Sequence, residues 1–195
     1  MVTLLRLAGE LLEWSPRFFS RAAGGGLAIV GIAWLVPVIG FYFGYRLGRA
    51  GVRPTSLARA AGLPLTALVL VPILAALASR TGLGGSATAH IVVWAVAAVI
   101  AVGVAFVAWP ALGRALLAYA VVARVPVVTV MWAAMRWRWG THYDAPPPAF
   151  PSMVPLWHWW WTGVVPQLTI WIAWTVALGA LFGALGWYVA SRRTS

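Results

Sequence analysis

Long runs of apolar residues, separated by short polar or Pro/Gly-rich segments, make up most of this chain. An α-helix needs about 20 such residues to cross the hydrocarbon core of a bilayer. Five runs approach that length, at residues 27–45, 63–79, 91–109, 115–135 and 164–188. The pattern predicts an all-α integral membrane protein, a bundle of about five transmembrane helices.

Residues 2–14 have a different pattern, in which polar and apolar positions recur with helical spacing. Thr3, Arg6, Glu10 and Glu13 form one polar stripe, and leucines dominate the opposite face. The pattern predicts an N-terminal amphipathic helix that is too polar to span the membrane and lies in its interface. Such a helix either orients the first span or docks a partner protein.

The composition supports the membrane assignment, because 63% of the residues are hydrophobic and only 9% are charged. A soluble domain carries about 25% charged residues, so we treat residues 1–195 as a single membrane domain. The formal net charge is +11. The arginines cluster at the ends of apolar runs, where they anchor to anionic headgroups, and this placement argues against nucleic-acid binding. The absence of cysteine excludes disulfides and thiolate metal sites.

The loop after the first run holds a dense cluster of basic residues, Arg46, Arg49, Arg53 and Arg59. Under the positive-inside rule such a loop stays in the cytoplasm. We therefore expect the N-terminus outside and the C-terminus inside, with anionic membrane lipids as partners.

Two stripes of glycine predict close helix packing. Gly40, Gly44 and Gly48 lie four residues apart near the end of the first span, and Gly179 and Gly183 lie in the last one. Small residues on one helix face let a second helix approach closely. The contact is either internal to the bundle or made with another subunit, a second copy of this chain or a different membrane protein.

Arg124 lies near the middle of the fourth run, two residues before Pro126. A charge at that depth costs about 2.5–3.5 kcal/mol on insertion scales, so it usually faces protein or water. Three interpretations are open. Pro126 breaks the helix and Arg124 snorkels to a surface; Arg124 forms a structural ion pair; or Arg124 binds an anion at an unwound turn that lines a cavity.

The segment 136–162 is rich in tryptophan and proline and is expected to fold back on the membrane surface as an ordered cap. Its tryptophans suit an aromatic belt or a cage for a ring or a quaternary amine. Arg136 and Arg138 alternate with tryptophan and suit an anionic headgroup. The other candidate ligand-binding residues of the cap are His142, Tyr143, Asp144 and His158.

The cap carries no recognisable catalytic or metal-binding motif. His142, Asp144 and His158 lack the fixed spacing of a metal site, and no GxSxG motif is present. We therefore assign no catalytic residue, no metal and no cofactor. Asp144 is the only acidic residue outside the N-terminal helix region and is expected to pair with Arg136, Arg138 or Arg124.

The sequence RVPVVTVMWAAM, which begins at Arg124, and the sequence WGTHYDAPPPAFP, which ends at Pro151, resemble segments of uncharacterised multi-pass bacterial membrane proteins. The resemblance implies residence in the cytoplasmic (inner) membrane of a bacterium. It implies no activity and no site residue.

Three functions fit these observations. The first is a non-enzymatic accessory, assembly or scaffold subunit, which the glycine stripes, the interfacial helix and the lack of catalytic motifs favour. The second is a carrier or channel for a small anion or a lipid that uses Arg124. The third is a lipid-modifying membrane enzyme that uses the cap, which the lack of motifs disfavours. From the sequence alone we favour the first.

Overall fold

The computed structural model describes residues 1–26, 28–81, 85–145 and 154–192, and these residues form an all-helical membrane bundle. The all-α fold class is confirmed. The helices are α1 (Val2–Leu11), α2 (Val36–Arg49), α3 (Leu57–Arg80), α4 (Ala87–Ala108), α5 (Pro110–Trp137) and α6 (Pro155–Arg192). Within the described residues, α3, α4, α5 and α6 are long and apolar enough to cross a membrane.

The last helix, α6, lies at the centre of the bundle. It contacts α2, α3, α4 and α5, and half of its most apolar window (50%) is buried, against 22% for α3 and for α4. A core of apolar side chains joins α4, α5 and α6 and includes Trp109, Leu112, Leu116, Ile172 and Val176. The outer helices expose large apolar side chains, such as Leu74 and Val99, as expected when lipid is the solvent.

Four spans begin earlier than their hydrophobic runs predict, and local chemistry explains each start. The shift is smallest for α4, which is capped by Ser86 and begins at Ala87, four residues before its predicted start at 91. Ser56 caps α3 by accepting a hydrogen bond from the backbone N–H of Arg59 at 3.1 Å. Pro110 and Pro155 occupy the first turns of α5 and α6, where the N–H that proline lacks would have no helical partner. The expected starts at residues 63, 115 and 164 are therefore six, five and nine residues late.

The first predicted span, 27–45, is wrong in its N-terminal half. The helix α2 begins only at Val36, and short 3-10 turns at Ala23–Gly25 and Ile32–Leu35 precede it. Three consecutive glycines from Gly24 have positive φ angles, and Gly31 is extended, so a continuous helix cannot run through this segment. At 14 residues α2 is about 21 Å long, which is shorter than the roughly 30 Å hydrocarbon core.

The two glycine stripes contact each other. A Cβ atom on Gly40 would collide with the backbone of Gly179, and one on Gly44 would collide with the backbone of Gly183. Gly48 continues the contact beside Ala190, where a Cβ would lie 2.9 Å from the alanine Cβ. The stripes thus bring α2 and α6 to backbone contact inside one chain.

The orientation of α1 differs from that of an ordinary interfacial helix, because protein covers its polar stripe. Thr3 is 7% exposed and Glu10 is fully buried, whereas Leu4 and Leu12 on the opposite side are 57% and 64% exposed. The leucine face is free to contact lipid. A helix that lies in the membrane interface turns its polar stripe to water, but here Thr3 and Glu10 face the bundle.

Candidate functional site

A cavity of about 420 Å³ lies between α1, the non-helical segment before α2, α5 and α6. On α5 it is lined by Arg124, Val127, Met131 and Met135, which share one helix face. These residues span eleven positions, or about 16 Å along the helix axis. The cavity is therefore elongated, with Arg124 at its deep end. Its volume is in the range of about 300–1,000 Å³ that is usual for small-molecule sites.

Arg124 is buried in the middle of an unbroken helix. The helix α5 continues from Pro110 to Trp137 through Pro126, and the Arg124 residue is only 4% exposed. The interpretation in which Pro126 breaks the helix and Arg124 snorkels to a surface is therefore wrong. The cost of a charge at this depth must be met inside the bundle.

The contacts of Arg124 are with neutral groups of α6. Its Nη1 donates to Oε1 of Gln167 at 3.1 Å, and its Nη2 donates to Oγ1 of Thr175 at 3.4 Å. The indole of Trp171 covers the guanidinium, with the Arg124 Cζ atom 5.1 Å from the ring centroid. Among the described residues no carboxylate pairs with Arg124, and its buried Nε has no hydrogen-bond partner. The structural ion pair expected as one alternative is not formed there.

The opposite end of the cavity is organised by Glu10 of α1. Its Oε1 accepts from Nε of Arg6 at 2.9 Å and lies 2.5 Å from Nδ1 of His142, and its Oε2 accepts from the backbone N–H of His142 at 2.9 Å. Burial alone would raise the pKa of Glu10, but the hydrogen bonds from His142 and Arg6 outweigh it and hold that pKa below its usual value. Burial lowers the pKa of His142. Glu10 thus neutralises Arg6 and fastens α1 to the turn that follows α5.

The non-helical segment before α2 wraps around Arg6. Nη2 of Arg6 donates to the carbonyl oxygens of Gly25 at 2.8 Å and Ser20 at 3.3 Å. Gly25 has a φ of 84°, and a Cβ there would lie 2.7 Å from Nη2 of Arg6. Only glycine fits this position. The segment continues along the cavity wall as far as Trp34.

The helix α6 is irregular where it faces the cavity. Residues Trp159–Val164 are π-helical, and Thr169 departs from helical geometry with φ −123° and ψ −77°. Thr162 and Gln167, which line the cavity, lie in this irregular stretch. Local π-helical turns occur often at functional sites. The distortion presents the Gln167 amide to Arg124.

The structure brings together some of the candidate residues and separates others. Arg124, His142 and Tyr143 line the cavity. Tyr143 is buried, and its hydroxyl donates to the carbonyl oxygen of Thr3 at 3.2 Å. Burial raises the pKa of Tyr143, so it remains a neutral donor.

The remaining candidates lie outside the cavity lining. Arg136 and Arg138 are exposed at the end of α5, and His158 lies in the first turn of α6. Asp144 accepts from the backbone N–H groups of Gly140 at 2.9 Å and Thr141 at 2.7 Å. The expected pairing of Asp144 with an arginine is therefore replaced by a turn contact in the described structure.

The Trp/Pro-rich segment is divided between three environments. Its first part ends α5 and forms the turn at residues 138–145, and its last part, from Pro155, belongs to α6. The stretch 146–153, which holds the three consecutive prolines expected to form a rod, lies outside the described residues. Trp137 and Trp139 stack with their ring centroids 5.9 Å apart.

No group of three His, Cys, Asp or Glu side chains placed to hold a metal occurs among the residues that the structure describes.

Sequence reasoning did not connect the residues that surround Arg124 with that arginine. Glu10 and Arg6 were assigned to the polar stripe of an interfacial helix, and their four-residue spacing is the one sequence signal that they form a pair. Trp171 and the segment up to Trp34 gave no signal, because their role depends on distant contacts.

The fold and the cavity define an integral membrane protein with a buried cation inside its bundle, and no carboxylate among the described residues pairs with that cation. The chain matches no protein-family model, no curated protein and no solved structure.

Proposed function

We propose that this membrane protein is a carrier that binds the acidic group of an anionic ligand on Arg124. The observation that carries the proposal is a guanidinium that is 4% exposed, lines a cavity and has no carboxylate partner among the described residues. Buried charges in membranes are normally paired or functional. An anion in the cavity would supply the missing partner.

The broken first span supports a binding site at this depth. Non-helical backbone inside a membrane is tolerated where it is buried in protein or lines a cavity. The segment before α2 does so: Gly31 and Trp34 line the same cavity as Arg124. Carriers commonly form their central sites from such discontinuous helices. The glycine stripes, by contrast, contact each other, so they no longer favour an accessory subunit.

The test is anion binding and transport by the full-length protein. Binding of acetate, octanoate and inorganic phosphate would be measured by calorimetry in nanodiscs of zwitterionic lipid, for the wild type and for Arg124→Gln. Arg136→Gln is the matched control, because Arg136 is exposed at the end of the same helix. We expect at least one probe to lose tenfold or more in affinity in Arg124→Gln and to keep its affinity in Arg136→Gln.

The probe that binds would then be tested for flux into liposomes. Uptake that depends on Arg124 supports a carrier. Binding without flux into or out of the liposomes would overturn the transport part of the proposal. Equal binding by the wild type and by Arg124→Gln would overturn the site itself.

A further inference from the structure

We infer that the ligand is a monocarboxylate with an elongated apolar body, its carboxylate on Arg124 and its body along α5 towards Met135. This inference rests on the proposed function and specifies the ligand. Charge, donor geometry and cavity shape support it independently.

The charge of the site favours a single negative charge. Two arginines line the cavity, Arg6 and Arg124. Glu10 already pairs with Arg6 at 2.9 Å, so only Arg124 is left without an acidic partner among the described residues. A dianion such as a phosphate monoester would bring one uncompensated negative charge into a buried site, and the burial of an unpaired charge is strongly unfavourable.

The free donors of Arg124 match a carboxylate. Nη1 is engaged by Gln167 at 3.1 Å, whereas Nε has no partner and Nη2 has only the long 3.4 Å contact with Thr175. Nε and Nη2 lie on the same edge of the planar guanidinium. Two parallel N–H donors on one edge bind the two oxygens of a carboxylate in a bidentate pair.

The shape of the cavity favours an extended apolar body. Val127 and Met131 continue the α5 wall above Arg124, and Trp171 and Trp174 of α6 line the cavity as well. Methionine side chains adapt to a flexible chain, and burial of each methylene group favours binding. A small inorganic anion would leave this apolar wall uncovered.

The inference is tested with four probes against the full-length protein in zwitterionic nanodiscs: octanoate, acetate, octanol and inorganic phosphate. Arg124→Gln nanodiscs measure partitioning into lipid alone. We expect octanoate to bind at least tenfold more tightly than acetate, phosphate or octanol, and to lose at least tenfold in Arg124→Gln.

Two variants test where the apolar body lies. Met131→Phe places a bulkier ring in the middle of the cavity, and it is expected to weaken octanoate binding at least tenfold more than acetate binding. Val122→Phe, on the same helix at a position that is 72% exposed, is the size-matched control and should bind octanoate like the wild type. The melting temperature and the gel-filtration profile of both variants are measured alongside binding, so that a folding defect is recognised.

The outcomes separate this inference from the proposed function. Arg124-dependent binding of phosphate that equals or exceeds that of octanoate would overturn the monocarboxylate and leave the anion site standing. Octanoate affinity that is the same in the wild type and Met131→Phe would overturn the placement of the body. If no probe depends on Arg124, the proposed function and this inference both fail.

Discussion

Replacement of Arg124 by methionine separates a binding role of this residue from a structural one. Burial of the charge costs about 2.5–3.5 kcal/mol on insertion scales. The charged hydrogen bond to Gln167 returns about 1.5–3 kcal/mol, and the contact with Trp171 adds about 0.5–2 kcal/mol. The bond to Thr175, at 3.4 Å, is near the limit of a hydrogen bond and adds little. The cost and the gain therefore cancel to within about 2.5 kcal/mol.

Arg124→Met should therefore change the free energy of unfolding of the ligand-free protein by less than about 2.5 kcal/mol, because the unbranched apolar side chain removes both the burial cost of the charge and the contacts that offset it. Thr175 keeps its hydrogen bond to the Trp171 carbonyl oxygen at 2.8 Å, so no hydroxyl is orphaned. Unfolding would be followed by circular dichroism in mixed detergent micelles, with Arg136→Met as the control. A loss of about 3–5 kcal/mol, the usual cost of a broken buried charge pair, would show that Arg124 holds the bundle together and would refute this reasoning.

The same variant should lose its response to ligand. A ligand present at 100 times its dissociation constant stabilises the protein that binds it by about 2.7 kcal/mol. We expect this stabilisation for the wild type with octanoate and none for Arg124→Met. Equal stabilisation of both proteins would place the ligand elsewhere.

Two further predictions concern helix packing and pH. Gly44→Ala should destabilise the protein by about 1–3 kcal/mol, because the new Cβ meets the backbone of Gly183. Gly62→Ala is the control and should be neutral or stabilising, because a Cβ at Gly62 has no neighbouring atom within 4 Å. Chemical unfolding of both variants measures the two effects, and equal effects would contradict the prediction. Acidification should release α1. The pKa values of His142 and Glu10 are lowered from their usual values of 6.5 and 4.5, so both groups stabilise the folded protein when the pH is above those values, and this stabilisation is lost as the pH falls. The melting temperature should fall from pH 7.5 to 4, with a smaller fall at the acid end in Glu10→Gln; a rise on acidification would contradict the assignment.

Hydropathy alone was enough to predict the class of fold, because a bilayer demands long apolar helices wherever the chain crosses it. It failed at residues 28–35. That stretch is as apolar as a span, yet Gly31 in its middle is extended and not helical. The segment is stabilised by contacts with Arg6 and by the cavity wall, which are tertiary and leave no local pattern.

The deep end of the site could be located from the sequence, and its surroundings could not. Arg124 is conspicuous because a charge inside an apolar run has a cost that demands an explanation. Its partners Gln167 and Thr175 lie 43 and 51 residues away, and the contact between Glu10 and His142 joins residues 132 positions apart. Burial of Glu10 also reversed the expected orientation of the polar stripe on α1. Amphipathic spacing identifies two faces of a helix but does not show which face protein covers.

The most direct test of the central claim is the distance between Arg124 and the acidic group of the bound ligand. Solid-state NMR would measure dipolar coupling between guanidinium-¹⁵N-labelled protein in lipid and either octanoate labelled with ¹³C at the carboxyl carbon or the ³¹P of phosphate. In the wild type and in Arg136→Gln we expect a dipolar coupling as strong as that between hydrogen-bonded groups. In Arg124→Gln we expect this coupling to be lost. A coupling that persists in Arg124→Gln, or none with either probe in the wild type, would contradict an anion site on Arg124.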